Sequence, residues 1–358
     1  MHREERRAHR AAQVVAPAAG LQVLPTTPID PGSLQARVDV VASGICGADT
    51  GTVRSAEPPA GLPVTPGHEV AGVIADLGPE VTGYTVGERV TVGWLGGSCG
   101  TCPACRRGDP VHCPRRQVPG IAYPGGWSTT ITVPAAALAR IPDGLTMTEA
   151  APFGCAGVTA FNAVRQAGVT AGGRVAVVGI GGVGHMAVQF ASAMGYETIA
   201  VARGTDKKAW VERLGAHRFV DATVEWPGAA LDSLGGADLI VSTASSTALL
   251  EELVDGLAPR GQLVVVGLDG ASTKLSPARL VMHGRSIVGH LTGSPAETEL
   301  AMRFAVATWV RPRVEEVPLD DVTDALVRQQ SGRARFRMVL TTDRSSVAQQ
   351  VPSDRTLR

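Results

Sequence analysis

Six cysteines carry the first chemistry that can be read from this chain: Cys46, Cys99, Cys102, Cys105, Cys113 and Cys155. Four of them form the run Cys99-x2-Cys102-x2-Cys105-x7-Cys113, in a stretch rich in glycine and proline. Tight turns there can bring four sulfurs into the tetrahedral shell, at about 2.3 Å from the metal, that a closed structural zinc site requires. Two other readings compete. Three disulfides would suit a small secreted protein, but a chain this large needs no staples. An iron–sulfur cluster would use the ferredoxin-like spacing of the first three cysteines, yet no second set supports it and Cys113-Pro114 comes too late for the usual run. Structural zinc is the expectation.

A second pattern begins at Gly67-His68-Glu69 and continues through Gly72, Gly78 and Val81, placing a histidine and a carboxylate at a turn that enters a strand. A lone histidine is more often a satisfied core or surface group than a ligand. Here, however, Cys46 and Cys155 are left over, each beside a glycine. Zinc held by two thiolates and one imidazole keeps a fourth position open, where it polarises an alcohol or carbonyl oxygen as a Lewis acid. The third pattern is Gly179-Ile180-Gly181-Gly182-Val183-Gly184, directly after an apolar run and at the head of a helical one. Alone it marks a tight turn. Between a strand and a helix its glycines let backbone approach a pyrophosphate, and the helix N-terminus supplies N–H donors.

Two kinds of scaffold are needed to position these groups. From Gln13 to about Ala150 the chain shows short β-rich runs, at residues 36–41, 70–77, 89–92 and 129–133, broken by Gly and Pro. That predicts an irregular, mostly β domain. Further on, apolar strands at 174–178, 198–202, 238–242 and 262–266 alternate with helices at 184–194 and 207–214. Such alternation predicts an α/β, doubly wound parallel sheet. The tail from about His290 loses it and ends in a strand at 336–340, which reads as a return to the first domain. The expected division is 13–155 with 290–345 as one domain and 156–289 as the other, between a disordered extension at 1–12 and a flexible tail at 346–358.

Bulk properties bound the function classes. The 358 residues are enough for two domains, and 44% hydrophobic with 18% charged residues mark a globular chain. Lysine plus arginine number 33, as do aspartate plus glutamate, so no net field favours nucleic acid or an anionic membrane. No uncharged apolar stretch of about 20 residues exists, so no membrane span is expected. The basic segment 1–10 lacks the apolar run of a secretory signal, which makes the cytoplasm the expected address. The partner expected is a small-molecule substrate, with the chain in a homo-oligomer.

These motifs in this order resemble the zinc-containing medium-chain dehydrogenase/reductase family, from about Gln13 to Thr342. Gly67 to Val81 looks like that family's zinc signature, the four-cysteine lobe like its structural zinc site, and Pro152-Phe153-Gly154-Cys155-Ala156-Gly157-Val158-Thr159 like its third catalytic-ligand segment. The resemblance implies a Rossmann cofactor domain with a GroES-like catalytic domain, and two zinc ions per chain. It implies Cys46, His68 and Cys155 as catalytic-zinc ligands, Glu69 as a neighbouring or transient one, and Asp49 as the carboxylate that fixes the His68 ring. Thr159, Val183, Val266, Gly267 and Leu268 would line the nicotinamide side, and Arg337 would reach the pyrophosphate. Trp94-Leu95-Gly96-Gly97-Ser98-Cys99 is similar to the yeast-like tetrameric alcohol dehydrogenases, in which that tryptophan narrows the substrate pocket. Trp94, Tyr123 and Trp127 suggest an apolar pocket.

One position departs from the family. Its alcohol dehydrogenases carry serine or threonine two residues after the first ligand cysteine, where the hydroxyl relays the alcohol proton. Here the run is Cys46-Gly47-Ala48-Asp49-Thr50-Gly51, with no hydroxyl at Ala48 and glycine where a relay histidine would follow. Cofactor choice is read at Ala202-Arg203-Gly204-Thr205-Asp206-Lys207-Lys208. Neither Ala202 nor Arg203 is the acid that would hold the ribose of NAD, although Asp206 is near. Arg203 with Lys207 or Lys208 could clamp a 2′-phosphate, favouring NADP(H). The expected activity is that of a zinc alcohol dehydrogenase or aldehyde reductase. Two alternatives are an NADPH-dependent reductase of an iminium or conjugated C=C bond, and a non-catalytic zinc- and nucleotide-binding protein.

Overall fold

Strand Gln35–Gly44 is the spine of the first half of the molecule, because its alternate residues Ala36, Val38 and Val40 point into one apolar cluster. In the computed structural model, which describes residues 9–16, 20–55, 57–59, 61–267 and 269–344, this strand sits in a seven-stranded sheet. The order along it is Val314–Pro318, Arg337–Thr341, Gln35–Gly44, Val70–Leu77, Arg89–Val92 and Leu138–Arg140, with Thr130–Pro134 also paired to Gln35–Gly44. Val70, Ile74, Val90, Val92, Ile131 and Leu138 fill the core between them. Each such side chain contributes roughly 1.5–3 kcal/mol when fully buried. The C-terminal strand Arg337–Thr341 thus lies beside the N-terminal spine, antiparallel to it.

The chain divides into two units, the described residues within Met1–Cys155, Ser294–Met302 and Val314–Arg358, and those of Ala156–Gly293 and Arg303–Arg313. Strand Arg10–Val14 pairs with Leu21–Pro25, so residues 10–12 of the expected extension are strand. Residues 1–8 of that extension, and the expected tail at 346–358, lie outside the described residues.

The second unit is built on six strands: β1 (Arg174–Val178), β2 (Glu197–Ala202), β3 (Arg218–Asp221), β4 (Ala237–Ser242), β5 (Leu257–Val265) and β6 (Ser286–Gly289). Every pairing is parallel, in the order β3-β2-β1-β4-β5-β6. Val175, Ala176, Val177 and Val178 are all buried, as expected of a central parallel strand covered on both faces. Helix Gly184–Ala193 returns along the sheet and packs Phe190 against Phe161 of helix Ala156–Arg165, with ring centroids 5.3 Å apart. The strand order reverses between β1 and β4, the switch point at which doubly wound sheets bind ligands.

His185, which the sequence reading did not single out, ties the first turn of that helix to a later segment. It is fully buried; its Nδ1 lies 3.0 Å from the Gly181 carbonyl oxygen, and its Nε2 accepts the Arg313 backbone N–H at 3.1 Å. Both contacts are met only by the neutral ring carrying its proton on Nδ1. Burial, with the Arg313 charge adding to it, lowers His185 from 6.5 to about 4. Because the unfolded chain then takes up a proton that the folded one refuses, stability is complete above pH 6.5 and falls as pH drops towards 4. The loss is on the order of 3 kcal/mol. His185→Gln has no such proton to take up. Its urea midpoint should fall less between pH 7 and about pH 4.5 than that of the wild type, and equal acid sensitivity in the two would assign the effect to other groups.

Candidate active site

Four side chains from three separate stretches converge in the first unit. One ligand atom each from Cys46, His68, Glu69 and Cys155 lies within 4.8 Å of all the others. The Cys46 and Cys155 sulfurs are 3.9 Å apart. Two thiolates on one tetrahedral zinc at 2.3 Å would be separated by about 3.8 Å, so this spacing fits the ion. His68 Nε2 is buried with no hydrogen-bond partner among the described residues, while Nδ1 lies 2.9 Å from Asp49 Oδ1. Asp49 therefore fixes the ring with Nδ1–H outward and leaves the Nε2 lone pair for a cation. The Asp49 Oδ2 atom also accepts the Cys46 backbone N–H at 2.8 Å, so one carboxylate orders two of these residues.

Local backbone explains the convergence. Gly67 adopts φ +102°, and a Cβ there would stand 2.4 Å from the Trp127 ring, so only glycine permits the turn that presents His68 at the head of Val70–Leu77. Cys155 follows the single turn Ala151–Gly154, whose last carbonyl accepts the Trp94 N–H at 2.9 Å. Burial works against the His68 imidazolium, but the Asp49 carboxylate and Cys46 outweigh it and bring the metal-free ring up to about 10, so a cation takes Nε2 only by displacing its proton. Cys46 falls well below its ordinary range, through its contact with Cys155, against burial, and with the nearby Arg337 and His68 charges. A thiolate is the form that binds metal.

Arg337, assigned by resemblance to the cofactor's pyrophosphate, is buried beside this cluster. Its Nε donates to Glu69 Oε2 at 2.9 Å, and its Nη2 donates to Glu69 Oε1. The guanidinium thus neutralises and orients the Glu69 carboxylate, which stays within the same cluster. Ala48 is exposed and offers no hydroxyl; the Thr50 hydroxyl is engaged by Gln330 Nε2 at 3.3 Å.

The second cluster holds one sulfur each from Cys99, Cys102, Cys105 and Cys113, again within 4.8 Å of one another. Sulfur–sulfur distances of 3.5 Å (Cys113–Cys99), 3.6 Å (Cys102–Cys105) and 4.0 Å (Cys99–Cys105) fit a tetrahedral ion, and none of the six cysteines forms a disulfide. Backbone N–H groups turn inward. Cys99 donates to Cys113 Sγ at 3.4 Å, Cys105 to Cys102 Sγ at 3.5 Å, and Arg115 to Cys113 Sγ at 3.3 Å. The backbone at Thr101 and Cys102 brings Cys99 down to about 5.

In the second unit Gly179 follows β1 with φ +90°. A Cβ on Gly184 would stand 1.9 Å from the Gly179 carbonyl oxygen, so that glycine lets helix and strand meet, whereas Gly181 faces open space. Gly182 and Val183 are half-buried in the same loop. Gly267 packs on Thr243 and Ala244 after β4, with Val266 half-buried beside it. Thr159 is buried, and its hydroxyl oxygen has no hydrogen-bond partner among the described residues. Arg203 and Lys208 are exposed after β2, whereas Asp221 at the end of β3 accepts the Gly204 N–H at 2.8 Å. Leu268 lies outside the described residues.

The aromatic pocket expectation needs correction. Trp127 is fully buried, packed with Ala12, Ile45 and Leu326, and its indole N–H donates to the Gly44 carbonyl at 3.3 Å. Tyr123 packs on the core around Val38 and donates to the Gly96 carbonyl at 2.7 Å. Both are structural because their polar tips are satisfied by backbone. Trp94 is half-buried, and the Arg116 guanidinium stacks over it, 5.6 Å from the ring centroid.

Comparison with known proteins agrees with this arrangement. Residues 32–143 match the alcohol dehydrogenase GroES-like domain, and residues 182–307 match the zinc-binding dehydrogenase domain. The chain is 37% identical to alcohol dehydrogenase notN of an Aspergillus species, over 87% of this chain and 92% of that one. It is 34% identical to NADP-dependent alcohol dehydrogenase C of Mycobacterium bovis, over 87% and 92% of the two chains. A cinnamyl alcohol dehydrogenase from Sorghum bicolor superposes with a TM-score of 0.85 at 31% identity, over 93% of this chain and 97% of that one. With two inward-turned cysteine clusters, a parallel sheet bearing a glycine-rich loop, and relatives matched over most of its length, the chain belongs to the zinc-containing medium-chain alcohol dehydrogenase family.

Proposed function

We propose that this chain is a zinc-dependent alcohol dehydrogenase that works as an NADPH-preferring aldehyde reductase, with one catalytic and one structural zinc ion. The observation that carries the reading is the convergence of Cys46, His68 and Cys155, with an unpartnered, buried imidazole nitrogen beside the two thiols. When bound, zinc supplies Lewis-acid polarisation of the substrate oxygen and the nicotinamide supplies hydride. Cys46, His68 and Cys155 would hold the catalytic ion, while Asp49 keeps the His68 tautomer and Arg337 restrains Glu69. Cys99, Cys102, Cys105 and Cys113 would hold the other. Gly179, Gly181, Gly182, Val183 and Gly184 form the loop for the pyrophosphate, and Thr159, Val266 and Gly267 the nicotinamide side. Arg203 and Lys208 supply the charge for a 2′-phosphate, a preference supported by the name of the Mycobacterium bovis relative. No helix among the described residues is long and apolar enough to cross a membrane. Exposed Met282 and Val288, along edge strand β6 and just before it, support a homo-oligomer.

The absent hydroxyl at Ala48 favours a second reading, reduction of an iminium or conjugated C=C bond, which needs no such relay. One experiment separates them. The zinc-loaded protein is assayed with NADPH on aldehydes and cyclic imines, then with NADP+ on simple alcohols. Aldehyde reduction is expected, with alcohol oxidation slow near neutral pH and faster as pH rises. General acid–base assistance is worth about 10²–10⁴-fold, so Ala48→Thr should raise neutral-pH alcohol oxidation at least about tenfold. The gain should shrink at high pH. Turnover of imines alone would support the second reading, and an unchanged pH–rate profile in the variant would end the relay argument.

A further inference from the structure

Arg116 is an exposed cation on the segment that goes on to pack against Pro66 and Gly67, just before His68. Two neighbours on the four-cysteine lobe are engaged elsewhere: Arg107 pairs with Asp109, and Arg115 donates to the Thr101 hydroxyl. Arg116 contacts the Cys113 carbonyl at 3.4 Å and the Trp94 ring, and no carboxylate among the described residues pairs with it. Two backbone links fix its place. Gly97 and Gln117 form an antiparallel bridge, with Gly96 N–H donating to the Gln117 carbonyl at 2.9 Å, which sets Arg116 beside Trp94. Trp94 is in turn bonded through its N–H to Gly154, the residue before Cys155. The same segment then runs over the other catalytic stretch, where Gly120 and Gly125 lie against Pro66 and Gly67, just before His68.

We propose that Arg116, held over Trp94, is a specificity-determining residue that selects carbonyl substrates bearing a carboxylate or similar anionic group remote from the reacting carbon. An aromatic face and a planar guanidinium together bind an apolar chain that ends in a carboxylate, which the guanidinium takes with two parallel hydrogen bonds. A stack that merely covered an exposed indole would leave substrates undistinguished. The proposal rests on the reading of the Cys46–His68–Cys155 cluster as the carbonyl site.

The test compares succinic semialdehyde with butanal, which share a four-carbon chain and differ at the far end. Wild type should favour the semialdehyde in kcat/KM by about tenfold, the scale of one charge-assisted contact in a partly exposed place. In Arg116→Gln that ratio should fall to about one, chiefly through KM, while Arg116→Lys keeps part of it because the charge remains. A ratio near one in the wild type, or equal losses on both aldehydes in Arg116→Gln, overturns the proposal. Binding of succinate against succinamide to zinc-loaded protein, followed by tryptophan fluorescence, makes the same comparison without turnover. If succinate binding depends on Arg116 while no aldehyde is reduced, the anion site stands and the reductase reading fails. If succinate binds no better than succinamide, or equally to wild type and Arg116→Gln, the anion site fails.

Discussion

Zinc-loaded Cys46→Ser protein is expected to keep the urea midpoint of the wild type while losing aldehyde reduction by about 100-fold or more. Loss of a residue that merely supports a ligand already costs about 10–100-fold, and Cys46 is placed as a ligand itself. The fold survives because Cys46 closes no loop of its own: its backbone N–H remains bonded to Asp49, and Ile45 remains in the core with Trp127. Cys99→Ser should do the reverse. Four sulfurs close the lobe from Cys99 to Cys113, so an ion bound there contributes folding free energy directly. Its removal should lower stability by more than about 3 kcal/mol, at the upper end of single-site effects. Elemental analysis should give two zinc ions in wild type and one in each variant. Iron in place of zinc, or equal unfolding of the two variants, would contradict the division into a catalytic and a structural ion.

The second large effect is expected at Arg203. The side chain stands exposed where β2 ends, followed by Gly204 with φ +71°, and the carboxylate of Asp221 is occupied by the Gly204 and Thr223 N–H groups. Arg203→Asp should weaken NADPH by about 1.5–3 kcal/mol, or roughly 10–150-fold in kcat/KM. NADH should be affected far less, since it has no 2′-phosphate, and the introduced carboxylate can take its ribose hydroxyl. Because the contact is exposed, the discrimination should also weaken with salt. A wild type that prefers NADH, or a variant whose preference does not move, would make Arg203 a solvated surface charge.

Some features were legible from residue order because short-range physics sets them. The four-cysteine lobe spans Cys99 to Cys113, so a few glycine and proline turns suffice to close it. The central strands of the parallel sheet read as continuous apolar runs, and 174–178 and 238–242 in the sequence correspond to β1 and β4 within a residue. The strands β3 and β6 went unread, being only four residues each and, for β6, exposed along Val288 and Gly289. Their pairing, supplied by neighbours distant in sequence, defines them.

Other features were decided only by the tertiary structure. Residue type and resemblance named Cys46, His68 and Cys155, but which atoms face one another depends on a sheet and a turn that join positions 109 residues apart. Aromatic residues show the limit well. Trp94, Tyr123 and Trp127 are alike as letters, yet the close approach of Gly67 buries Trp127, a backbone carbonyl claims the Tyr123 hydroxyl, and Trp94 lies half-buried beneath Arg116. The partnership of Glu69 with Arg337, 268 residues apart, and that of His185 with Arg313 have no local signal either. Sequence determined the kinds of chemistry and the elements that carry it, because ligand type, glycine turns and apolar periodicity act over a few residues. Tertiary structure decided which charges meet and which remain free, because burial and long-range pairing set the cost of leaving a polar group alone.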